Sequence, residues 1–273
     1  MTLPPFPFRL GTTSYIVPDD ILPNVRFLAD QAQDIELVLF EVDDGTNNLP
    51  SAETVAEMQA LAAAHNLSYT VHLPLDLRLG AEEDLRHPSL VKAERVIERT
   101  RALAPFAYVL HLDGREERSQ TDPQVLARWQ QNSIRALRQA AAWAGDPALL
   151  AVENLEGYPL DFWEPIFDQI PVSRCVDIGH LWLDGRDPLT YLQRALPTTR
   201  VIHLHGIGTR DHQSLRHADP AALDAVLAAL LRADYRGVLT LEIFGEEDFH
   251  TSLQALNASR QRLAAGGDLW AKA

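Results

Sequence analysis

Apolar and polar positions alternate along the chain in two rhythms. Short, nearly continuous apolar runs recur at FRLGTTSYI, IELVLFE, SYTVHLP, YVLHLDG, LLAVENLE, SRCVDIGH, RVIHLHGI and VLTLEIFG. Their β-branched and aromatic content, with little polar interruption, predicts strands buried on both faces, as in a parallel sheet. Longer amphipathic stretches between them read as helices. Ser51 precedes AETVAEMQALAAAH, with Glu53 in the first turn, where a carboxylate suits the helix dipole. Thr121 or Asp122 caps the next clear helix, Pro123 stands near its first position and Gly145 ends it. Asp219-Pro220 opens a third, and Gly237 closes it just before the last strand. PDDILPNVRFLADQ, with an internal proline, and the short DPLTYLQRAL are weaker segments that keep the alternation. Eight β-then-α units predict an α/β chain folded as a single (β/α)8 TIM barrel. An open doubly wound sheet would carry a Gly-rich first turn, and LGTTSY is not one. The expected domain spans 1–273, with a Pro-rich lead-in at 1–7 and a tail at 267–273.

Composition narrows the class. The chain has 273 residues, 46% hydrophobic and 23% charged, within the ordinary globular range. Its 24 Lys and Arg against 38 Asp and Glu give a formal charge of −14. A grip on bare nucleic acid needs a basic face, so no nucleic-acid partner is expected. The single cysteine cannot form an internal disulfide. No apolar run reaches the roughly 18 residues of a membrane span, and MTLPPFPFRL lacks the parts of a signal peptide. A soluble, cytoplasmic protein with no membrane partner is the expectation.

The polar residues within the strands carry the chemistry. An unpaired buried polar group costs on the order of 1–3 kcal/mol, and a charge more. Yet six of the runs end in His, Asp or Glu: His72, His111 with Asp113, Glu153, Asp177 with His180, His203 with His205, and Glu242. In a barrel the strand C-termini meet at one mouth, where active sites form. Converging imidazoles and carboxylates there suit Zn, Mn, Fe or Co, whereas Ca and Mg favour all-oxygen shells. One catalytic metal needs three or four protein ligands, so the surplus points to two or three divalent metal ions. A lone strand histidine is more often a hydrogen-bonded core residue, and an ion-pair core with Arg174 reaching in is the bland alternative for the carboxylates. Asp113 and His205 read equally as groups that orient ligands. Glu41, followed by Asp43 and Asp44, reads as a rim charge or a hydrogen-bond acceptor. Arg115, Arg118 and Arg210 in mouth loops read as solvated charges, and Tyr158 and Trp182 as ordinary loop packing. Cys175 shares a strand face with Asp177.

The series Glu153-Asn154, Asp177-Ile178-Gly179-His180, His203 and Glu242 resembles the xylose-isomerase-like superfamily of barrels over nearly the whole chain. That superfamily includes sugar isomerases and epimerases and the apurinic-site endonuclease branch. In the epimerases the equivalents of Glu153, Asp177, His203 and Glu242 hold one divalent metal. His72 and His111 match additional ligands of the endonuclease branch, with Glu153 bridging two metals, and His180 and His212 match ligands of its third. That branch has D-x-H in the loop after strand 7, whereas Arg210-Asp211-His212 places the Asp beside the His.

The segments FRLGTTSYIVPDDILPN and DIELVLFE are similar to the cobamide-remodelling phosphodiesterases. That resemblance implies a metal-dependent phosphodiester hydrolase acting on a small-molecule, cobamide-like (corrinoid) substrate, with Glu153, Glu242 and His180 as catalytic residues. The alternative is a metal-dependent sugar or sugar-phosphate isomerase or epimerase, in which Glu153 and Glu242 shuttle protons. A third reading, from another class, is a non-catalytic corrinoid- or sugar-binding barrel.

Overall fold

The computed structural model describes residues 6–42 and 45–266. Most of the lead-in at 1–7, the tail at 267–273, and Asp43 with Asp44 lie outside the described residues. In chain order the elements are β1 Arg9–Thr13, α1 Ile21–Leu28, β2 Asp34–Val38, α2 Ala52–His65, β3 Ser68–His72 and α3 Pro88–Thr100. β4 Tyr108–Leu110, α4 Arg115–Arg118, α5 Pro123–Ala144, β5 Leu150–Glu153, α6 Glu164–Phe167 and β6 Ser173–Asp177 follow. The chain continues with α7 Ile178–Leu183, α8 Pro188–Ala195, β7 Thr199–Leu204, α9 Pro220–Arg232, β8 Val238–Leu241 and α10 Glu246–Ala265. The eight strands are ordered β1 to β8 in one closed barrel, and the ladders are parallel. The expected (β/α)8 architecture is therefore the one observed.

Local chemistry accounts for the helix boundaries. The Ser51 side chain accepts from the Thr54 N–H, Asp122 from Gln124 and Asp219 from Ala221, and each satisfies a helix N–H that has no partner within the helix. Gly145 adopts φ +95 and ends α5, a conformation that favours glycine. On α5 the buried positions Trp129, Ser133, Ala136, Leu137 and Ala140 recur at helical spacing and form one inward stripe. Among the described residues, no helix is long and apolar enough to cross a membrane.

The chain divides into two compact units. One spans Leu37–Cys175 and holds β3, β4, β5 and most of β6, in register through His72 with Val109, Leu110 with Val152, and Glu153 with Cys175. Its core of Val71, Val109, Leu150, Ala151, Leu90, Val96 and Ile97 is fully buried. The other runs through Glu36 and resumes at Val176. It pairs Thr13 with Glu36, Thr12 with Leu241, and His203 with Thr240, over a core of Ile35, Val201, Ile202, Leu227, Leu230 and Leu239. Each such Val, Leu or Ile side chain contributes about 1.5–3 kcal/mol on burial. Apolar cores of this size tolerate the few buried charges they also contain.

Candidate metal centre

Strand periodicity selects which side chains can form a site. On β6, Arg174 and Val176 take one face, and Cys175 and Asp177 take the other. Arg174 forms a two-pronged pair with Glu164 at 2.9 and 2.7 Å and lies over the Phe167 ring. Its guanidinium is thus directed to α6, on the face opposite Asp177.

In the Leu37–Cys175 unit, His72 at the end of β3 and His111 just past β4 each place Nε2 at 3.3 Å from the same oxygen, Oε2 of Glu153 on β5. Their rings meet edge to face at 5.0 Å. His72 Nδ1 lies 2.7 Å from the Leu73 carbonyl. A carbonyl only accepts, so the ring proton sits on Nδ1, and a neutral His72 turns an Nε2 lone pair toward the glutamate. Lone pairs facing each other need a proton or a cation between them. Ligand atoms about 2.1 Å from one ion, at angles of about 90–110°, lie roughly 3.0–3.4 Å apart. A charge-assisted hydrogen bond is shorter, about 2.7–2.9 Å. The 3.3 Å separations fit the first description.

The second unit repeats the pattern. Asp177 closes β6 and caps α7, its Oδ1 accepting from the His180 N–H at 2.6 Å. His180 is therefore on the first turn of a helix, not on the strand that the apolar run predicts. Asp177 Oδ2 lies 3.6 Å from His180 Nδ1 and 3.8 Å from His203 Nδ1. Glu242, immediately past β8, puts Oε2 3.1 Å from His203 Nδ1 and 3.3 Å from His212 Nε2. His212 has φ +50, an uncommon backbone for a side chain other than glycine, and Asp211 Oδ2 is 3.3 Å from its Nδ1. Burial disfavours the charged His212 ring, but the Glu242 hydrogen bond and the charges of Glu242, Asp177 and Asp211 outweigh it and raise its pKa to about 9. The site favours positive charge there.

His205 on this side is ordered differently. His205 Nδ1 lies 3.1 Å from the backbone N–H of His212 and 3.3 Å from the Gly206 carbonyl, and its Nε2 is 3.4 Å from Asp177 Oδ1. The His205 and His212 rings stack at 4.2 Å, and a Cβ on Gly179 would lie 2.1 Å from His205 Nε2, so only glycine leaves room for the ring. Asp113 is directed to its own loop, accepting from Arg115 N at 2.9 Å and from the Tyr158 hydroxyl. Burial works against its charged form, but those two bonds and the Arg115 and Arg78 charges hold its pKa below the usual carboxylate value. Tyr158 packs against Phe162 and Trp163, as ordinary loop packing predicts. Glu41 pairs with Arg95.

Sequence reasoning passed over Glu36. It lies in the middle of β2, fully buried, with Oε2 2.9 Å from His203 Nε2. The available signal was a charged residue at the centre of an apolar run.

Groups able to hold a metal therefore occur in each unit: His72, His111 and Glu153 in one, and Asp177, His180, His205 and His212 in the other. In the second unit His203 and Glu242 face the same Asp177.

Comparisons with known proteins agree with the fold. A D-tagatose 3-epimerase-like protein superposes with a TM-score of 0.77 at 19% identity, covering 95% of this chain and 99% of that one. A 3-keto-D-glucoside 4-epimerase from E. coli gives 0.69 at 20% identity, covering 93% and 99%. Endonuclease IV from Thermus thermophilus gives 0.68 at 21% identity, covering 93% and 99%. No curated protein matches the sequence. The profile of the xylose isomerase-like TIM barrels matches residues 29–265, and the chain belongs to that family.

Proposed function

We propose that the chain is a divalent-metal-dependent sugar or sugar-phosphate isomerase or epimerase. The observation that carries this reading is the set Asp177, His203 and Glu242. His203 Nδ1 faces Glu242 Oε2 at 3.1 Å, within the separation of two ligands on one ion, and Asp177 Oδ2 at 3.8 Å, too long for a hydrogen bond and near enough to close on the same ion. The resemblance adds Glu153 to the proposal, as the glutamate that shares the proton transfer with Glu242. Similarity to two epimerases supports the sugar reading over the phosphodiester reading that the N-terminal segments suggest. A bound divalent ion would polarise the carbonyl oxygen of a ketose and acidify the neighbouring C–H. Of the two glutamates, one takes that proton as general base and the other returns a proton to the opposite face of the carbon. With a formal charge of −14, the partner is a small molecule rather than a nucleic acid.

The test loads the metal-free protein with Mn or Co and incubates it with free and phosphorylated ketoses in D2O. The expected outcome is deuterium at the carbon beside the carbonyl, seen by NMR. E153Q and E242Q should each reduce that exchange by about 10³-fold or more, a loss of several kcal/mol of transition-state stabilisation. Absence of exchange across the panel rejects the reading.

A second reading, phosphodiester hydrolysis on a cobamide, is favoured by one observation. His72, His111, His180 and His212 exceed what one ion needs. Metal content separates the two: near one ion per chain supports the isomerase, and two or three support the hydrolase. Incubation with an intact cobamide and mass analysis for the cleaved nucleotide loop tests the hydrolase directly.

A further inference from the structure

Glu36 is a carboxylate that the proposed chemistry does not use, in a position no surface charge would take. Its neighbour Ile35 is fully buried, and its own carbonyl accepts from the Ser14 N–H at 2.8 Å, so the backbone that carries it is held by the β1 ladder. Oε2 lies 2.9 Å from His203 Nε2, and both side chains are completely buried. That is the length of a charge-assisted hydrogen bond, unlike the 3.1 and 3.8 Å separations on the other side of the same ring. A carboxylate accepts and does not donate, so the proton of this bond belongs to Nε2. The lone pair of the neutral ring is then on Nδ1, the atom that faces Glu242 and Asp177.

We propose that Glu36 is a positioning residue: it holds His203 as the Nε2–H tautomer and thereby presents Nδ1 to a cation held with Asp177 and Glu242. The proposal rests on the metal-dependent reading above and adds to it the residue that fixes one ligand's protonation and ring angle. A partner on the outer nitrogen raises the basicity of a ligating imidazole and prevents its rotation. The contrary arrangement, with the proton on Nδ1, would aim an N–H at Glu242 and close the ligand position. His203 alternates between those states as an isolated ring, and Glu36 selects one. It does so from the strand beside β1, without contact with substrate.

The experiment compares wild type, E36A and E36Q, all freed of metal and titrated with Zn and with Mn by calorimetry. The His203 tautomer in the Zn-loaded proteins is read from ¹H–¹⁵N correlations of the ring, assigned against H203N. The wild type should show metal on Nδ1 and the proton on Nε2. E36A should bind about 10–100-fold more weakly and lose that tautomer pattern. E36Q, whose amide oxygen still accepts from Nε2–H, should fall between the two and keep the pattern. Equal melting temperatures of the metal-free proteins separate this effect from lost folding. E36Q carries the test by its tautomer pattern if E36A does not fold. Wild-type affinity in E36A, or metal on Nε2 of His203, overturns the proposal while leaving the metal reading intact. Failure of the wild type to bind either ion overturns the metal reading itself, and this proposal with it.

Discussion

His72 and His203 are both buried histidines beside glutamates, yet their ring protons are placed by different means. His72 donates from Nδ1 to the carbonyl of Leu73, the very next residue, at 2.7 Å. His203 donates from Nε2 to Glu36, which precedes it by 167 positions. The first arrangement is available to the strand end as soon as β3 forms. The second exists only once β2 and β7 belong to one folded unit. Both leave the remaining ring nitrogen about 3 Å from a carboxylate oxygen, at 3.3 Å from Glu153 and 3.1 Å from Glu242. The same chemical outcome can therefore be reached by a local peptide group or by a distant side chain, and only the second is removable by substituting one residue.

The largest expected effect that tests this contrast comes from D177N. Asparagine still caps α7, so the fold survives while the second unit loses the charge faced by His180, His203 and His205. Metal affinity there should drop by about 100-fold or more, a loss of several kcal/mol. The His72–His111–Glu153 group should keep any affinity of its own, which calorimetry would show as one transition lost and another retained. Uniform loss of every transition would contradict that expectation. A smaller effect is expected from G179A. The added methyl group meets the His205 ring, and the overpacking should cost about 1–3 kcal/mol, visible as a lower melting temperature of the metal-free protein. An unchanged melting temperature would show that the His205–His212 stack yields easily.

The smallest effect serves as a control away from both regions. Asp224 on α9 accepts from Arg262 on α10 at 2.7 Å through each of its oxygens, and Ser259 hydrogen-bonds to it as well. The Arg262 hydrogen bond is the main cause that lowers the Asp224 pKa below 3.8. A carboxylate depressed in the folded state adds stability above its unfolded pKa and loses it as pH falls through the folded value. D224N should therefore be less stable than wild type at pH 7, by at most about 1 kcal/mol for a partly exposed pair. The gap should close as the pH falls below about 3.8. Urea denaturation across that range reads it; a gap that widens in acid would contradict the assignment.

Much of the candidate site is visible in the linear chain, for a specific reason. His72, Glu153, Asp177, His203 and Glu242 stand out because each places an ionisable group in or at the end of an apolar run, where an unpaired charge is costly. The caps at Ser51, Asp122 and Asp219 are equally legible, since a cap and its N–H partner are two or three residues apart. Glu36 was not legible as functional, because its meaning depends on a ring 167 positions later. His180 was placed on a strand because the apolar run continues through it. Asp177, by capping, starts a helix there instead. Arg174, a candidate for neutralising the buried carboxylates, proved to face outward to Glu164 by the simple alternation of β6.

The amino-acid order determined the eightfold alternation, the helix ends and the inventory of imidazoles and carboxylates, because hydrophobic periodicity and capping act over a few residues. Tertiary structure alone decided which nitrogen of His203 carries its proton. That choice depends on acceptors within about 3 Å of the ring, and for His203 the acceptor comes from another strand.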